Sequence, residues 1–181
     1  MSMSMRFCFA WWTRQAQVAE TVDVIIRNGN APDLPGMEWE GKYSRYRRLY
    51  KLAMDEARAG RRIILVAEVA GQIIGQIIIH LNRADPTATG YLYAFRVRPE
   101  WRNRGIGARL IQEAEAALIR RGYRRALIAV AMNNPGARRL YERMGYSHFA
   151  QDAGEWSFID DHGLLQRVVE PSWLMERSLP G

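Results

Sequence analysis

The sequence predicts a single mixed α/β domain, and three observations carry that expectation. The first is length: 181 residues fit one domain of about 100 to 200 residues and can bury a sizeable core without staples. The second is patterning, in which short β-branched runs alternate with stretches whose apolar residues recur at helical spacing. The third is continuity, because no internal repeat and no interdomain linker interrupts the pattern. Residues 1–20 read as an N-terminal extension, mobile or at a sheet edge, and residues 21–181 as the domain.

Each element follows from its residues. Residues 21–27 alternate and are β-branched, which predicts a first strand; residues 28–36, with Gly, Asn and two Pro, predict a loop. Over 43–58 the apolar Tyr46, Leu49, Tyr50, Ala53 and Ala57 fall at helical spacing between Arg and Lys, and Gly60 is a natural stop. The runs 63–68 and 73–80 flank Ala70 and Gly71 and predict an antiparallel hairpin. A loop over 82–90 leads to a partly buried strand over 91–97, which Pro99 stops. Leu110, Ala114, Ala117 and Leu118 mark one face of a helix that opens at Ile106 and ends at Gly122. The apolar run 126–130 predicts a short strand buried on both faces. Ala137, Leu140, Tyr141 and Met144 give a second compact helix over 135–144, and 156–159 and 173–179 are further strands.

Composition excludes several classes. Gly and Pro together make 22 of 181 residues, with 48% hydrophobic and 25% charged residues, so the chain is neither collagen-like nor wholly disordered. One cysteine, Cys8, makes no intramolecular disulfide and no Cys cluster for zinc. No stretch approaches the ~18 consecutive apolar residues of a membrane span, and the apolar run 7–12 is shorter than a signal-peptide core of about 7 to 15 residues. A cytoplasmic, soluble protein without a membrane partner is the expectation. The net charge is +7, supplied almost wholly by arginine, since Lys42 and Lys51 are the only lysines. Arginine suits phosphate groups, but charge alone does not choose the partner.

The stretch 97–110 carries the chemistry. A strand ending at Val97, Arg98 and Pro99 runs through Arg102, Asn103, Arg104 and Gly105 into a helix opening on Ile106, Gly107 and Ala108. Free N–H groups at a helix start, uncrowded at two glycines, make a site for phosphate or pyrophosphate. Arg102, Arg104 and Arg109 crowd the positive end of that helix, where acidic residues are normally favoured; the arrangement suits a bound anion. The Walker pattern fails here, because Ala108 and Arg109 stand where Lys and Ser or Thr are needed. The dinucleotide fingerprint fails too, lacking its third glycine and an acid about 20 positions on. In the second constellation, 133–146, Asn134 and Pro135 suit a helix cap and first position and Gly145 a left-handed stop. Capping does not demand a phenol at Tyr141.

Together these segments resemble the GNAT superfamily of acetyl-CoA-dependent N-acyltransferases. Arg102, Gly105 and Gly107 match its first signature, and Asn134, Ala137, Leu140, Tyr141, Gly145 and Tyr146 match its second. The resemblance implies that family's fold, a mixed, mostly antiparallel twisted sheet of about six to seven strands flanked by helices on both faces, whose paired strands splay beside the site. It implies an N-acetyltransferase using acetyl-CoA as co-substrate and no metal. Backbone groups of Phe95, Arg96 and Val97 would pair with the pantetheine arm. Arg102, Asn103, Arg104, Gly105, Ile106, Gly107 and Ala108 would cradle the pyrophosphate. Asn134 would contact the pantetheine or the acyl group, and Tyr141 would sit near the thioester sulfur. A phenol suits protonation of a departing thiolate, and a backbone N–H near Val97 suits the oxyanion.

The resemblance leaves three roles open. Many family members carry a Glu on the strand before the glycine turn, but residues 91–97 hold no carboxylate; Glu68, His80 or a water chain are the candidates for the base. The acceptor is expected to be a small-molecule amine or a peptide or protein N-terminal amine, met by Trp39, Glu40, Tyr43, Trp156, Asp160 or Asp161. Arg120, Arg121, Arg124, Arg125, Arg138, Arg139 and Arg143 are candidates for the cofactor's 3′-phosphate. A nucleic-acid module would use the same arginines, but no recognition helix or stacking platform accompanies them, so no nucleic-acid partner is expected. A non-catalytic acyl-CoA sensor is the other alternative. Dimerisation is common in the family, and residues 7–12 are a candidate homodimer surface.

Overall fold

The computed structural model describes residues 23–82 and 88–181. The expected extension 1–20, the first residues of the expected strand 21–27 and part of the expected loop 82–90 lie outside the described residues. In chain order the elements are β1 (Ile25–Asn28), α1 (Leu34–Met37), α2 (Arg47–Arg58), β2 (Arg62–Val69), β3 (Gln72–Leu81), β4 (Thr89–Val97), α3 (Ile106–Ile119), β5 (Arg125–Ala131), α4 (Pro135–Arg143), β6 (Ser147–Asp152), β7 (Glu155–Ile159), β8 (Leu165–Val169) and β9 (Ser172–Ser178). Among the described residues seven strands form one sheet in the order β1-β2-β3-β4-β5-β9-β6, and β7 and β8 form a separate hairpin sheet. Every pairing is antiparallel except β4 with β5. The expected mixed, mostly antiparallel sheet is the one observed.

β3 shows why the chain needs helices on both faces. Its sequence is a near-continuous isoleucine run, and it buries Ile74, Ile77 and Ile79 in one core and Ile73 and Ile78 in the other. The first core is closed by α3, through Leu110, Ile111, Ala114 and Leu118, and receives Tyr141 from α4. The second is closed by Met37 of α1 and by Tyr50, Ala53 and Met54 of α2.

Two strands carry no apolar signal in the sequence, and a third differs from its expected burial. β6 and β8 carry mostly exposed side chains, so no apolar alternation announces them. β5, expected to be buried on both faces, instead alternates: Ala126, Ile128 and Val130 are buried, whereas Leu127 and Ala129 are half-buried. An all-apolar run does not distinguish these two cases. The reason lies next door, where β4 pairs with β5 only from Thr89 to Leu92, against Arg125 to Ile128. Beyond Leu92 and Ile128 the strands part.

β4 also carries a bulge. Gln76 of β3 faces Arg96, but Ile78 faces Tyr93, so Ile77 stands opposite two residues, Ala94 and Phe95. Ala94 takes the left-handed backbone that accommodates the extra residue (φ 48°). Because strand side chains alternate, one extra residue reverses the faces beyond it. Leu92 points to the first core and Tyr93 to the second; after the bulge, Phe95 and Val97 return to the first core while Arg96 joins Tyr50 on the second.

The core and the hairpin differ sharply in what they bury. Leu118 is fully buried, so Leu118→Ala is expected to cost about 2–5 kcal/mol in urea unfolding. Leu165 of β8 is 59% exposed, and Leu165→Ala is expected to stay within about 0.5 kcal/mol. Equal losses at the two positions would contradict this division.

Candidate functional site

The parting of β4 and β5 opens a cleft of about 1770 Å³ that runs through the molecule from the start of α3 to the β7-β8 hairpin. One end is lined by Trp101, Arg102, Asn103, Gly105, Gly107, Ala108, Asn134 and Tyr141, the other by Tyr43, Tyr46, Tyr50, Tyr93, Arg96 and Trp156. Phe95 and Val97 lie between them. The two motifs, separated in sequence by a helix and a strand, therefore meet at one end of the cleft.

The glycine-rich turn is shaped by backbone geometry. After β4, the Arg98 amide bonds back to the Ile74 carbonyl at 2.8 Å, and Pro99–Trp101 makes a single 3-10 turn. Asn103 and Gly105 both have positive φ, at 59° and 76°, which swings the chain into α3 with Gly105 as its N-cap. The first amides of a helix have no carbonyl one turn back, so Ile106, Gly107 and Ala108 present N–H groups there. No acidic residue occupies the first turn. Gly107 sits in a tight space: a Cβ there would stand 3.2 Å from Phe95 Cζ and 3.3 Å from Leu140 Cδ2, and those side chains would have to give way by a few tenths of an ångström. At Gly105 a Cβ would meet nothing within 4 Å, so this side of the turn is open.

The arginines expected to crowd this helix start separate. Arg102 turns its Nε onto the Val97 carbonyl at 3.0 Å, Arg104 lies over the Trp101 ring and Arg109 donates to the Val24 carbonyl at 2.8 Å. Arg102 lines the cleft, and Arg109 is drawn away from it. Of the candidate phosphate arginines, Arg143 lines the cleft. Arg125 pairs with Glu176, Arg138 with Glu142, and Arg121 and Arg124 bond backbone carbonyls.

On the opposite wall, Asn134 caps α4 by accepting from the Ala137 amide at 3.1 Å. Two turns beyond this cap, Tyr141 is 4% exposed, its ring set between Phe95 and Tyr146 with centroids 6.1 Å from each. Burial first, and the nearby Tyr91 phenol second, hold its hydroxyl well above the usual tyrosine range. A neutral, protonated phenol thus borders the gap between the strands.

The candidate bases do not reach this gap. Glu68 Oε2 accepts from Arg27 Nε at 2.8 Å, and the same guanidinium binds Asp33, so Glu68 ties β1 to β2. His80 is an exposed residue of β3 that pairs with Tyr91. Neither lines the cleft, whereas Asp152, Glu155 and Glu170 do. These three carboxylates were not singled out in the sequence, where they belong to no recognisable motif.

The acceptor-side candidates divide in the same way. Tyr43 and Trp156 line the cleft, joined by Tyr46, which stacks on Tyr43 and Trp156 and tilts against Phe158. Glu40 is held by Arg98 through two bonds of 2.8 and 2.7 Å, and Trp39 lies under that guanidinium. Asp160 accepts from the amides of His162 and Leu164 and from Gln166, which fixes the β7-β8 turn. Asp161 stands beside His162 at 4.0 Å and does not line the cleft. Among the described residues no group of three His, Cys, Asp or Glu is placed to hold a metal, and no helix is long and apolar enough to cross a membrane.

Comparison with known proteins agrees with this geometry. Residues 26–146 match the model of the Acetyltransferase (GNAT) family. The chain is similar in structure to a ribosomal-protein-alanine N-acetyltransferase from Escherichia coli, with TM-score 0.67 and 16% identity over 88% of this chain and 96% of that one. It is similar to an acetyltransferase of the GNAT family from Streptococcus pneumoniae, with TM-score 0.67 and 18% identity over 87% and 100%. A spermidine N-acetyltransferase chimera involving Vibrio cholerae gives TM-score 0.67 and 19% identity over 86% and 95%. At these identities the structural likenesses establish the fold alone.

The close approach at Gly107 generates a test. Gly107→Val is expected to drive Phe95 and Leu140 apart and weaken binding of a pyrophosphate-bearing ligand at least about tenfold by calorimetry, the scale of one lost charge-assisted hydrogen bond. Unchanged affinity would place that ligand elsewhere.

Proposed function

Because the chain belongs to the Acetyltransferase (GNAT) family, we propose that it moves the acetyl group of acetyl-CoA to a primary amine. The observation that carries this reading is the opening of β4 from β5 between a glycine-rich helix start and a buried, protonated Tyr141. The residues present fit the co-substrate. An acid-free helix start with an open glycine suits the pyrophosphate, and the unpaired stretch of β4 suits an extended amide-bearing arm.

Residues 102–108 would hold the pyrophosphate on their amides, with Arg143 near enough in the cleft to meet a further phosphate. Backbone groups of Phe95, Arg96 and Val97 would lie along the pantetheine arm, though the Val97 carbonyl is already engaged by Arg102. Asn134 would contact the same arm. The thioester supplies an activated acetyl group: the amine nitrogen bonds to its carbonyl carbon, the carbon–sulfur bond breaks, and the sulfur leaves as a thiolate that takes a proton. Tyr141 gives that proton and recovers one from solvent, which takes up the N–H proton that the amine nitrogen sheds as the amide forms. Its raised pKa keeps the donor protonated, and the apolar rings around it keep competing water away. A backbone N–H at the end of β4 stabilises the developing oxyanion.

The acceptor enters from the aromatic end, between α2 and the hairpin. Residues 91–97 hold no carboxylate, so the amine arrives neutral or gives its proton to cleft water, which Asp152, Glu155 and Glu170 border. Of the structurally similar proteins, one is a ribosomal-protein-alanine N-acetyltransferase and one a spermidine N-acetyltransferase. A small-molecule amine and a peptide N-terminus are both compatible with so open a cleft.

Thermal unfolding with acetyl-CoA tests the reading first. A ligand at about 100 times its Kd stabilises by ~2.7 kcal/mol, or roughly 5 to 11 °C for a domain of this size. A shift with acetyl-CoA and none with NAD is the expected result; no shift with acetyl-CoA would sink the proposal. Tyr141 gives a second test. Tyr141→Phe is expected to lower kcat by about 10²–10⁴, the range for a general acid, while acetyl-CoA still binds. Since its pKa is raised above 10.0, the acid form persists through neutral pH, and any alkaline fall in kcat due to Tyr141 lies above pH 10. A fall at lower pH that disappears in Tyr141→Phe would contradict the assignment.

A further inference from the structure

We propose that the acceptor amine carries a carboxylate a few bonds from its reacting nitrogen, as a free amino acid does, and that Arg96 is the seat of that carboxylate. The proposal rests on the acetyltransferase reading and adds the chemical class of the acceptor.

The bulge at Ala94 is what puts Arg96 here. Without the extra residue, position 96 would share a face with Leu92 and meet the first core; with it, Arg96 enters the acceptor end of the cleft. There its guanidinium lies 4.1 Å from the centroid of the Tyr43 ring and 5.3 Å from that of Tyr46, and it donates to the Tyr50 hydroxyl. Stacking on two rings holds the planar group in one orientation. Tyr50 is itself fixed, 2% exposed and bonded by Gln76, a fully buried side chain.

What the guanidinium lacks is an acid. Among the described residues Arg96 has no carboxylate partner, although Arg27, Arg47, Arg62, Arg98, Arg125 and Arg177 each have one. Arg96 is half-buried, and a partly desolvated charge without a counter-ion is unfavourable until one arrives. The remaining N–H groups form a fork of the kind that grips a carboxylate bidentately. The other cleft arginines do not compete for this role: Arg45, Arg102, Arg143 and Arg167 are exposed, and Arg62 is taken by Glu56.

The acids of the cleft argue for a cation less strongly. Asp152, Glu155 and Glu170 are all exposed, so water screens them, and a screened charge discriminates weakly. Position along β4 then sets the geometry of the acceptor. Arg96 lies between Phe95 and Val97, the residues proposed to run beside the thioester arm, and neighbouring Cα atoms are only about 3.8 Å apart. A carboxylate held by Arg96 keeps the amine to which it is joined within reach of the thioester carbon only if few bonds separate the two.

The test compares amino acids with their carboxamides, which keep the amine and side chain and lose the charge. Thiol release from acetyl-CoA is measured for the twenty amino acids and their amides, with kcat/KM expressed per neutral amine because amides ionise at lower pH. The expected result is a preference for the acid over the amide of about ten- to a hundredfold for the best substrates, the value of a charged hydrogen bond. Arg96→Gln is expected to bring that ratio near one, and Arg96→Lys to restore part of it. Equal use of acids and amides overturns the proposal, as does a ratio that Arg96→Gln leaves unchanged. Failure to acetylate any amino acid, in a protein that shows the acetyl-CoA thermal shift, overturns it while leaving the acetyltransferase reading standing. Absence of that shift overturns both.

Discussion

A single extra residue in β4 decides what faces the cleft. Side chains alternate along a regular strand, so an unbulged ladder cannot present Phe95 and Val97 to one core and Arg96 to the other in a strand that starts with Leu92 inward. Ala94 makes the reversal by taking a left-handed backbone, at modest cost for a residue with a Cβ. The same distortion twists β4 away from β5. Side-chain facing and the opening of the cleft therefore have one local origin, and the site cannot be had without both.

Around that strand the molecule keeps its two faces chemically distinct. On the α3 and α4 side, backbone amides of the helix start and an apolar pocket around Tyr141 present fixed dipoles of the kind that suit an anion. On the α2 side, the donors are side chains held by aromatic stacking: Tyr43 over Tyr46, Tyr46 against Trp156 and Phe158. The hairpin that completes this second wall belongs to no part of the main sheet. It meets Tyr46 through the rings of Trp156 and Phe158 rather than through a hydrogen-bonded ladder.

Legibility in the sequence followed the range of the interactions. The turn 102–108 and the cap at Asn134 were readable because glycine geometry and capping are local, and both segments stand in the structure where their spacing put them. Helices α2, α3 and α4 and strands β2 to β5 announced themselves by periodicity. β6 and β8 did not, because a strand that buries almost no side chain leaves no apolar pattern. Glu68 and His80 looked plausible as bases only because pairing register is a long-range property; once β2 and β3 are laid down, one carboxylate serves Arg27 and the imidazole faces solvent. Asp160 carried the right charge for an acceptor site but is spent on closing a turn. The importance of the Arg96 side chain was hidden for the same reason as the bulge: neither an extra residue in a ladder nor the acid missing beside an arginine can be counted before the strands are paired.

The sheet order has a consequence for how the chain is made. β9 lies between β5 and β6, so among the described residues β6 has no other neighbour in the sheet and β5 has none on that side. While residues 172–178 are still inside the ribosome, β1 to β5 with α2 and α3 can assemble as the chain emerges, but β6 has nothing to pair with and the outer edge of β5 stays bare. Translation proceeds at about 5–20 residues per second, so that bare edge persists for seconds in every newborn molecule. Until β9 emerges, after the β7-β8 hairpin, that edge of β5 offers unpaired backbone groups to any extended strand it meets.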